Sequence, residues 1–247
     1  MGVPFPALKT MVTVYLLLMG NTSPVVLGSS TTLSAVRAIA ATVVTSGSSL
    51  KDGLLKDLAD NSYWVTCAIQ VENWTRFALK APRLMLKSGA DTKAPVFIEP
   101  GKREAFAVRK TAYTATGVSG TVSWEVDWYR QRFVIMWSTP FDFNIHSNWM
   151  GMGMTREGLV DVAPNNVWFN QMYKYGNNDD LTFERKEFYK NMDTFVYSNE
   201  KFEAEGYMTN SRHALVRVIF RPANNKWEYL ANEIERELTK SSPAPDN

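Results

Sequence analysis

One cysteine and two histidines are all the thiol and imidazole side chains that the 247 residues offer. A single Cys67 excludes an intramolecular disulfide, and His146 and His213 are too few for a His-built metal centre. Cys67 sits in the apolar run Val65-Thr66-Cys67-Ala68-Ile69 and reads as a buried, inert thiol; intermolecular pairing is the alternative. The chain also lacks a Lys/Arg run, and its net charge is only +2, so the dense basic patch of a nucleic-acid binder is missing. No Gly-x-Ser-x-Gly elbow, His-Glu-x-x-His, P-loop or Rossmann fingerprint occurs, so no catalytic residue, metal or cofactor is indicated. The carboxylates Asp179, Asp180 and Glu184 read as a solvated loop. Nor is there a long apolar run. Met11–Met19 reaches about half of the roughly 20 residues that a spanning helix needs. With Lys9 before it and Val26-Leu27-Gly28 after it, residues 1–28 read as a signal peptide cleaved after Gly28, so a secreted chain is expected.

Aromatic side chains, by contrast, are plentiful: eight Trp, ten Tyr and thirteen Phe. They suit pleated, half-buried surfaces and sites that meet lipid or ligand. Short strand patterns run from Tyr63 to about Phe220. Val122–Trp128 alternates with period two, whereas Phe133–Trp137 is continuously apolar, as in a strand covered on both faces. Turn signals separate these stretches, and the spacing predicts a β-sandwich. Residues 33–60 carry a helical repeat: Leu33, Val36, Ile39, Ala40 and Val43, then Leu50, Leu54 and Leu58. Gly47 is its weak point, which predicts an ordered helix near 49–59 and a looser segment before it. Further helices are expected near 164–175 and 224–240, followed by a disordered tail. The fold class is therefore mainly β, a sandwich flanked by two helices with an extra C-terminal helix. Asn73-Trp74-Thr75 is a glycosylation sequon.

The stretch 133–154, FVIMWSTPFDFNIHSNWMGMGM, carries the most specific pattern. Ser138-Thr139-Pro140, Phe141-Asp142-Phe143-Asn144 and Ser147-Asn148-Trp149 follow one another. Gly47-Ser48-Ser49-Leu50, Trp74-Thr75, Lys87-Ser88-Gly89, Pro100-Gly101-Lys102, Ala115-Thr116-Gly117, Gly206-Tyr207-Met208 and His213-Ala214 lie around them in a fixed order. The series resembles the actinoporins of sea anemones and their relatives in other animals, over roughly residues 45–220. The resemblance implies a secreted cytolysin that docks on a target cell membrane through phosphocholine headgroups, sphingomyelin above all. It implies a homo-oligomer whose N-terminal amphipathic helices insert to form a cation-permeable pore. Carried over by position, the headgroup contacts are Ser88, Ser138, Pro140, His146, Phe169 and Tyr173. Trp149, with Met150 and Met152, would be the membrane contact, and Val36, Ile39, Val43, Leu50 and Leu54 would belong to the pore-lining helix. The expected organisation is a signal peptide 1–28, an inserting segment 29–48, a sandwich domain 49–222 and a C-terminal helix and tail 223–247.

Some residues depart from that pattern. His146 stands where the family usually has Tyr, Ile145 where it has an aromatic, and Ser119 where it has an apolar residue. The Arg-Gly-Asp tripeptide is replaced by Gly176-Asn177-Asn178-Asp179. Two readings of local chemistry stay open. Trp168, Phe169, Tyr173 and Tyr175 are either a cage for a quaternary ammonium or plain core packing. Met150-Gly151-Met152-Gly153-Met154 is either a deformable apolar tip or a strand with Met on one face. A carbohydrate- or lipid-binding, non-lytic module of the same fold is the competing function.

Overall fold

The computed structural model describes residues 31–50, 53–59 and 62–241. The signal peptide expected at 1–28 and the tail beyond Ser241 lie outside them. Along the chain come α1 (Leu33–Val43), β1 (Thr45–Ser46), a 3-10 turn (Ser48–Leu50) and the one-turn helix α2 (Leu55–Leu58). Then follow β2 (Thr66–Asn73), β3 (Leu79–Ser88), β4 (Ala90–Lys93), β5 (Lys102–Arg109), β6 (Val118–Val126), β7 (Gln131–Thr139) and β8 (Asn148–Thr155). After α3 (Val167–Lys174) come β9 (Leu181–Phe188), β10 (Phe195–Ser198), β11 (Phe202–Met208) and β12 (His213–Pro222). A 3-10 turn (Trp227–Tyr229) and α4 (Asn232–Ser241) close the described chain.

The strands form two sheets. One runs β1-β5-β2-β12-β11-β10 with β4 paired to β5; the other runs β3-β6-β7-β8-β9. Alternation explains the sandwich. Cys67, Ile69 and Val71 of β2, Phe106 and Val108 of β5, and Val216, Val218 and Phe220 of β12 all enter one core. Across the gap they meet Trp124, Phe133, Ile135 and Trp137. The unbroken apolar run of β7 has the physical reason expected of it. It is the central strand of its sheet, and its other face, Val134 and Met136, is covered by Trp168, Phe169 and Met172 on α3. Cys67 is fully buried, and burial pushes its thiol pKa up, which leaves it unreactive.

The N-terminal segment differs from expectation. Its first half is the ordered helix, and the second half is broken. Glu104 on β5 is the cause. Its carboxylate accepts hydrogen bonds from the Ser48 and Ser49 amides at 2.8 and 2.7 Å and from the Ser49 hydroxyl. Those N–H groups are then lost to a helix, and Gly47 donates instead to the Arg103 carbonyl. A Cβ on Gly47 would lie 1.9 Å from the Glu104 Oε1, so glycine is what lets the carboxylate sit here against the Ser48 and Ser49 amides. The small side chains Ala68, Ala105 and Ala107 give Leu50 and Leu55 a flat surface to rest on.

The C-terminal helix is shorter than the pattern suggested, being divided at Leu230 from the 3-10 turn before it. It packs against α1. Val36, Ala40 and Val44 share a cluster with Trp74, Trp227, Leu230, Ile234 and Leu238, and Trp227 Nε1 donates to the Thr31 carbonyl at 3.1 Å.

The sequon is structural. Asn73 is fully buried, and its Nδ2 donates to the Phe77 carbonyl at 2.7 Å while its Oδ1 accepts from Thr75. The chain secreted from a eukaryotic host should therefore carry no glycan at Asn73, as intact-mass measurement would show. Asn73→Ala should lower unfolding free energy by about 2 kcal/mol, because several buried partners lose their bonds together.

Candidate functional site

At one end of the five-stranded sheet, four chain segments enclose a cavity of about 320 Å³. Ala115 and Gly117 come from the loop before β6. Ser138 lies one residue before the end of β7, Pro140, Phe141 and Asp142 form the turn after it, Ile145, His146 and Ser147 lead into β8, and Tyr173 closes the wall from α3. Each wall has a local cause. Gly117 lies so close to β7 that a Cβ there would be 2.0 Å from the Thr139 carbonyl oxygen. The Asp142 carboxylate accepts the Asn144 amide at 2.9 Å, which folds the turn back on itself. Asn148 Nδ2 donates to the Thr209 and Ser211 carbonyls, tying the start of β8 to the opposite sheet. Tyr173 stacks on Phe169 at 5.4 Å and meets the edge of Trp149 at 6.1 Å, so its ring is held upright. Arg185 donates to the Met172 carbonyl and fixes the last turn of α3.

The cavity thus offers one aromatic face from Tyr173, one carboxylate from Asp142 and hydroxyls from Ser138 and Ser147. That donor set suits a small zwitterion. Its cation would face Tyr173 and Asp142, and its anion the hydroxyls and His146. Among the described residues no group of three or more His, Cys, Asp or Glu side chains could hold a metal.

Of the expected headgroup residues, Ser138, Pro140, His146 and Tyr173 line this cavity. Ser88 and Phe169 do not. The Ser88 hydroxyl donates to the Gly117 carbonyl at 2.9 Å, so it positions the loop, while Phe169 is buried behind Tyr173. The four-aromatic cage also dissolves. Trp168 belongs to the core under α3, and Tyr175 points to solvent. Gly117, Phe141 and Asp142 are wall residues that sequence reasoning quoted as motif but did not single out.

Met150 and Met152 need correction as membrane contacts. Both are fully buried in the sandwich, because residues 148–155 form a strand whose even members turn inward. Gly151 and Gly153 keep the other face low under α3 and β9. Trp149 is not at a loop tip either. It sits on β8 opposite Ser138, with Arg185 over its ring. The exposed apolar side chain at the pocket rim is Ile145, 73% accessible.

The pore-helix residues are spread over two elements. Val36 is buried between α1 and α4, with Ile39 and Val43 at the edge of the same cluster. Leu50 packs on the sheet through Ala105 and Ala107, whereas Leu54 is largely exposed just before α2. Arg37 of α1 makes a two-pronged ion pair with Glu205 at 2.7 and 3.1 Å, and Arg221 binds Glu203 beneath it. The Glu205 contact raises the Arg37 pKa. No helix of the described residues is long and apolar enough to cross a membrane.

Sequence comparison decides the family. Over 245 residues the chain is 57% identical to conoporin-Cn1 of Conus consors, a match that spans 99% of this chain and 98% of that one. The chain belongs to the actinoporin-like pore-forming toxins. Tereporin-Ca1 of Terebra anilis is 50% identical over 191 residues, 76% of this chain and 100% of its own. Bryoporin of Physcomitrium patens is a more distant relative, 27% identical over 158 residues, covering 63% of this chain and 83% of its own. No family model matches. Among solved structures, the lipid binding protein Nakanori superposes with a TM-score of 0.50 at 15% identity, over 64% of this chain and 71% of that one, and shares the fold. The actinoporin-like family is not one of enzymes.

For this actinoporin-like chain the buried methionines and the pocket wall separate cleanly. Met152→Ala should lower stability by about 3 kcal/mol through the cavity it leaves, while vesicle affinity of the folded fraction stays unchanged. Thermal unfolding beside vesicle co-sedimentation checks both.

Proposed function

We propose that the protein is a secreted cytolysin that docks on the target cell membrane by taking a phosphocholine headgroup, that of sphingomyelin included, into the cavity between Ser138 and Tyr173. Docked protomers assemble into a homo-oligomer, and residues 29–59 leave the sandwich to line a cation-permeable pore. The observation that carries the reading is the pairing of a cavity lined by Tyr173, Asp142, Ser138 and Ser147 with an N-terminal segment whose helical pattern outruns its helix.

The geometry sets what insertion requires. The eleven residues of α1 span about 16 Å, too little for a hydrocarbon core of about 30 Å. Joined as one helix, residues 33–59 would span about 40 Å. The second half must therefore leave β5 and become helical. Its acceptor-rich staple, Glu104, releases the Ser48 and Ser49 amides to intrahelical carbonyls. Residues 50–59 carry Asp52 and Asp57 against Lys51 and Lys56, so the second half of the helix is charge-balanced, and Arg37 in the first half leaves residues 33–59 with three basic against two acidic side chains. Neighbouring helices that turn these polar faces inward keep them in water.

Dye release from vesicles tests the reading. The chain starting at Ser29 should release dye from phosphatidylcholine/sphingomyelin vesicles, and the chain lacking residues 29–48 should bind without releasing it. Tyr173→Ala should weaken binding about tenfold through loss of one cation–π face. Release that survives loss of residues 29–48 would sink the insertion step. Binding without release by the full chain favours a non-lytic lipid- or carbohydrate-binding module.

A further inference from the structure

Beside the pocket, outside any residue discussed so far, three cations lie over aromatic rings. The Arg109 guanidinium is 4.3 Å from the ring centroid of Tyr63, and that of Arg212 is 4.1 Å from Trp64. Lys110 Nζ stands 5.6 Å from Phe141. Trp64 and Phe141 are 6.4 Å apart, and Phe141 is a wall of the headgroup cavity, so platform and pocket form one continuous surface. Pairing sets its width. Arg109 lies opposite Thr66, and Thr66 opposite His213, so Arg109 and Arg212 are separated by about two strand spacings, roughly 10 Å. Trp64 is 53% exposed, and Tyr113 beyond β5 is fully so.

The cations at this end lie outside the described ion pairs, and the one carboxylate of the cavity wall is Asp142. The described ion pairs lie elsewhere: Lys80–Asp127, Arg156–Asp180 and Lys201–Glu157 at the opposite end of the strands, Arg37–Glu205 under α1. None of those described involves Arg109, Lys110 or Arg212. Arg109 Nη1 donates to the Lys110 carbonyl at 3.2 Å and Lys110 Nζ to the Thr111 carbonyl at 2.9 Å, so both cations are anchored by backbone. The remaining N–H groups of a guanidinium over an aromatic ring can meet an outside acceptor, and phosphate fits that fork. The rings say what carries the phosphate. Trp64, Tyr113 and Ile145 are exposed at the same end, and Trp and Tyr gather where headgroups meet hydrocarbon, a preference that a soluble polyanion would not use.

We propose that Arg109 on Tyr63 and Arg212 on Trp64 form a second lipid contact. They bind the phosphates of lipids beside the one held in the pocket and give the protein a preference for bilayers that contain anionic lipid. The inference rests on the membrane reading above and adds the lipid class of the neighbouring sites.

The test compares vesicles of phosphatidylcholine and sphingomyelin with vesicles in which about one lipid in five is phosphatidylglycerol, at low and at about 0.5 M salt. Wild-type affinity should rise on the anionic vesicles, by roughly twentyfold for two basic groups at the surface. The R109Q/R212Q chain should gain less than about threefold, and high salt should remove the wild-type gain. Should the double variant fold poorly by thermal melting, R212Q alone should cut the gain to about fivefold. Tyr173→Ala should start from weaker binding and still show the gain. A full gain in R109Q/R212Q, or no gain in the wild type, overturns the proposal. If the wild type still binds the zwitterionic vesicles in that case, the pocket reading stands; if it binds neither vesicle, both fall.

Discussion

The carboxylate of Glu104 stands where residues 33–59 change from one helix, α1, to a chain of short elements, and it decides whether they can instead form one long helix. It gathers the Ser48 and Ser49 amides and the Ser49 hydroxyl at the point where the helical repeat should run through. Ser49 Oγ in turn accepts the Ala105 amide at 2.7 Å, so the staple is closed on both sides. Charge-assisted bonds to backbone amides are among the stronger polar contacts in a fold, and this one is shielded on the sheet. It holds the segment in a form that suits water, and its donors are those that a continuous helix would need.

The rest of the molecule divides around that staple. On one side of the sandwich, α1 is held by Arg37–Glu205 and by an apolar seam shared with α4. The charge pair is half exposed on the Arg37 side and so contributes modestly; the seam, with Val36 and Ala40 fully buried, is the larger restraint. On the other side, α3 seats Tyr173 against the end of β7 and β8. The cavity walled by Tyr173 and the cationic rings near Trp64 lie at one end of the strands, and the ion-paired loops at the other. The molecule therefore has one ion-paired end and one aromatic end.

Most of the sandwich was legible because the relevant signals are local. Period two in 122–128 and the apolar run 133–137 follow directly from which faces are covered. Which half of the N-terminal segment would be ordered was not legible, since the deciding residue, Glu104, lies 55 residues from Ser49. Gly47 hinted at the break but was assigned to the wrong half. The Met150–Met154 segment fitted a strand and a tip equally well, and burial chose the strand. Ser138, Pro140, His146 and Tyr173 were found by motif, whereas Ser88 and Phe169 act one step behind the wall and carry the same sequence signature. Arg109 and Arg212 had no signal at all. The pairing of β2 with both β5 and β12 brings them to one edge.

The central claim is that the segment held by Glu104 must leave the sheet and refold before a pore opens. Gly47 continues the β1–β5 ladder by donating to the Arg103 carbonyl, which sets it beside Glu104 on the neighbouring strand, and strand neighbours about 4.8 Å apart fall within the span of a disulfide. The natural Cys67 is buried and does not interfere. The chain carrying Gly47→Cys and Glu104→Cys should, when oxidised, bind vesicles without releasing dye, and release should appear on adding a reductant, at or above the wild-type rate because the staple is gone. Dye release by the oxidised chain at the wild-type rate, with the crosslink confirmed by mass, would contradict the account.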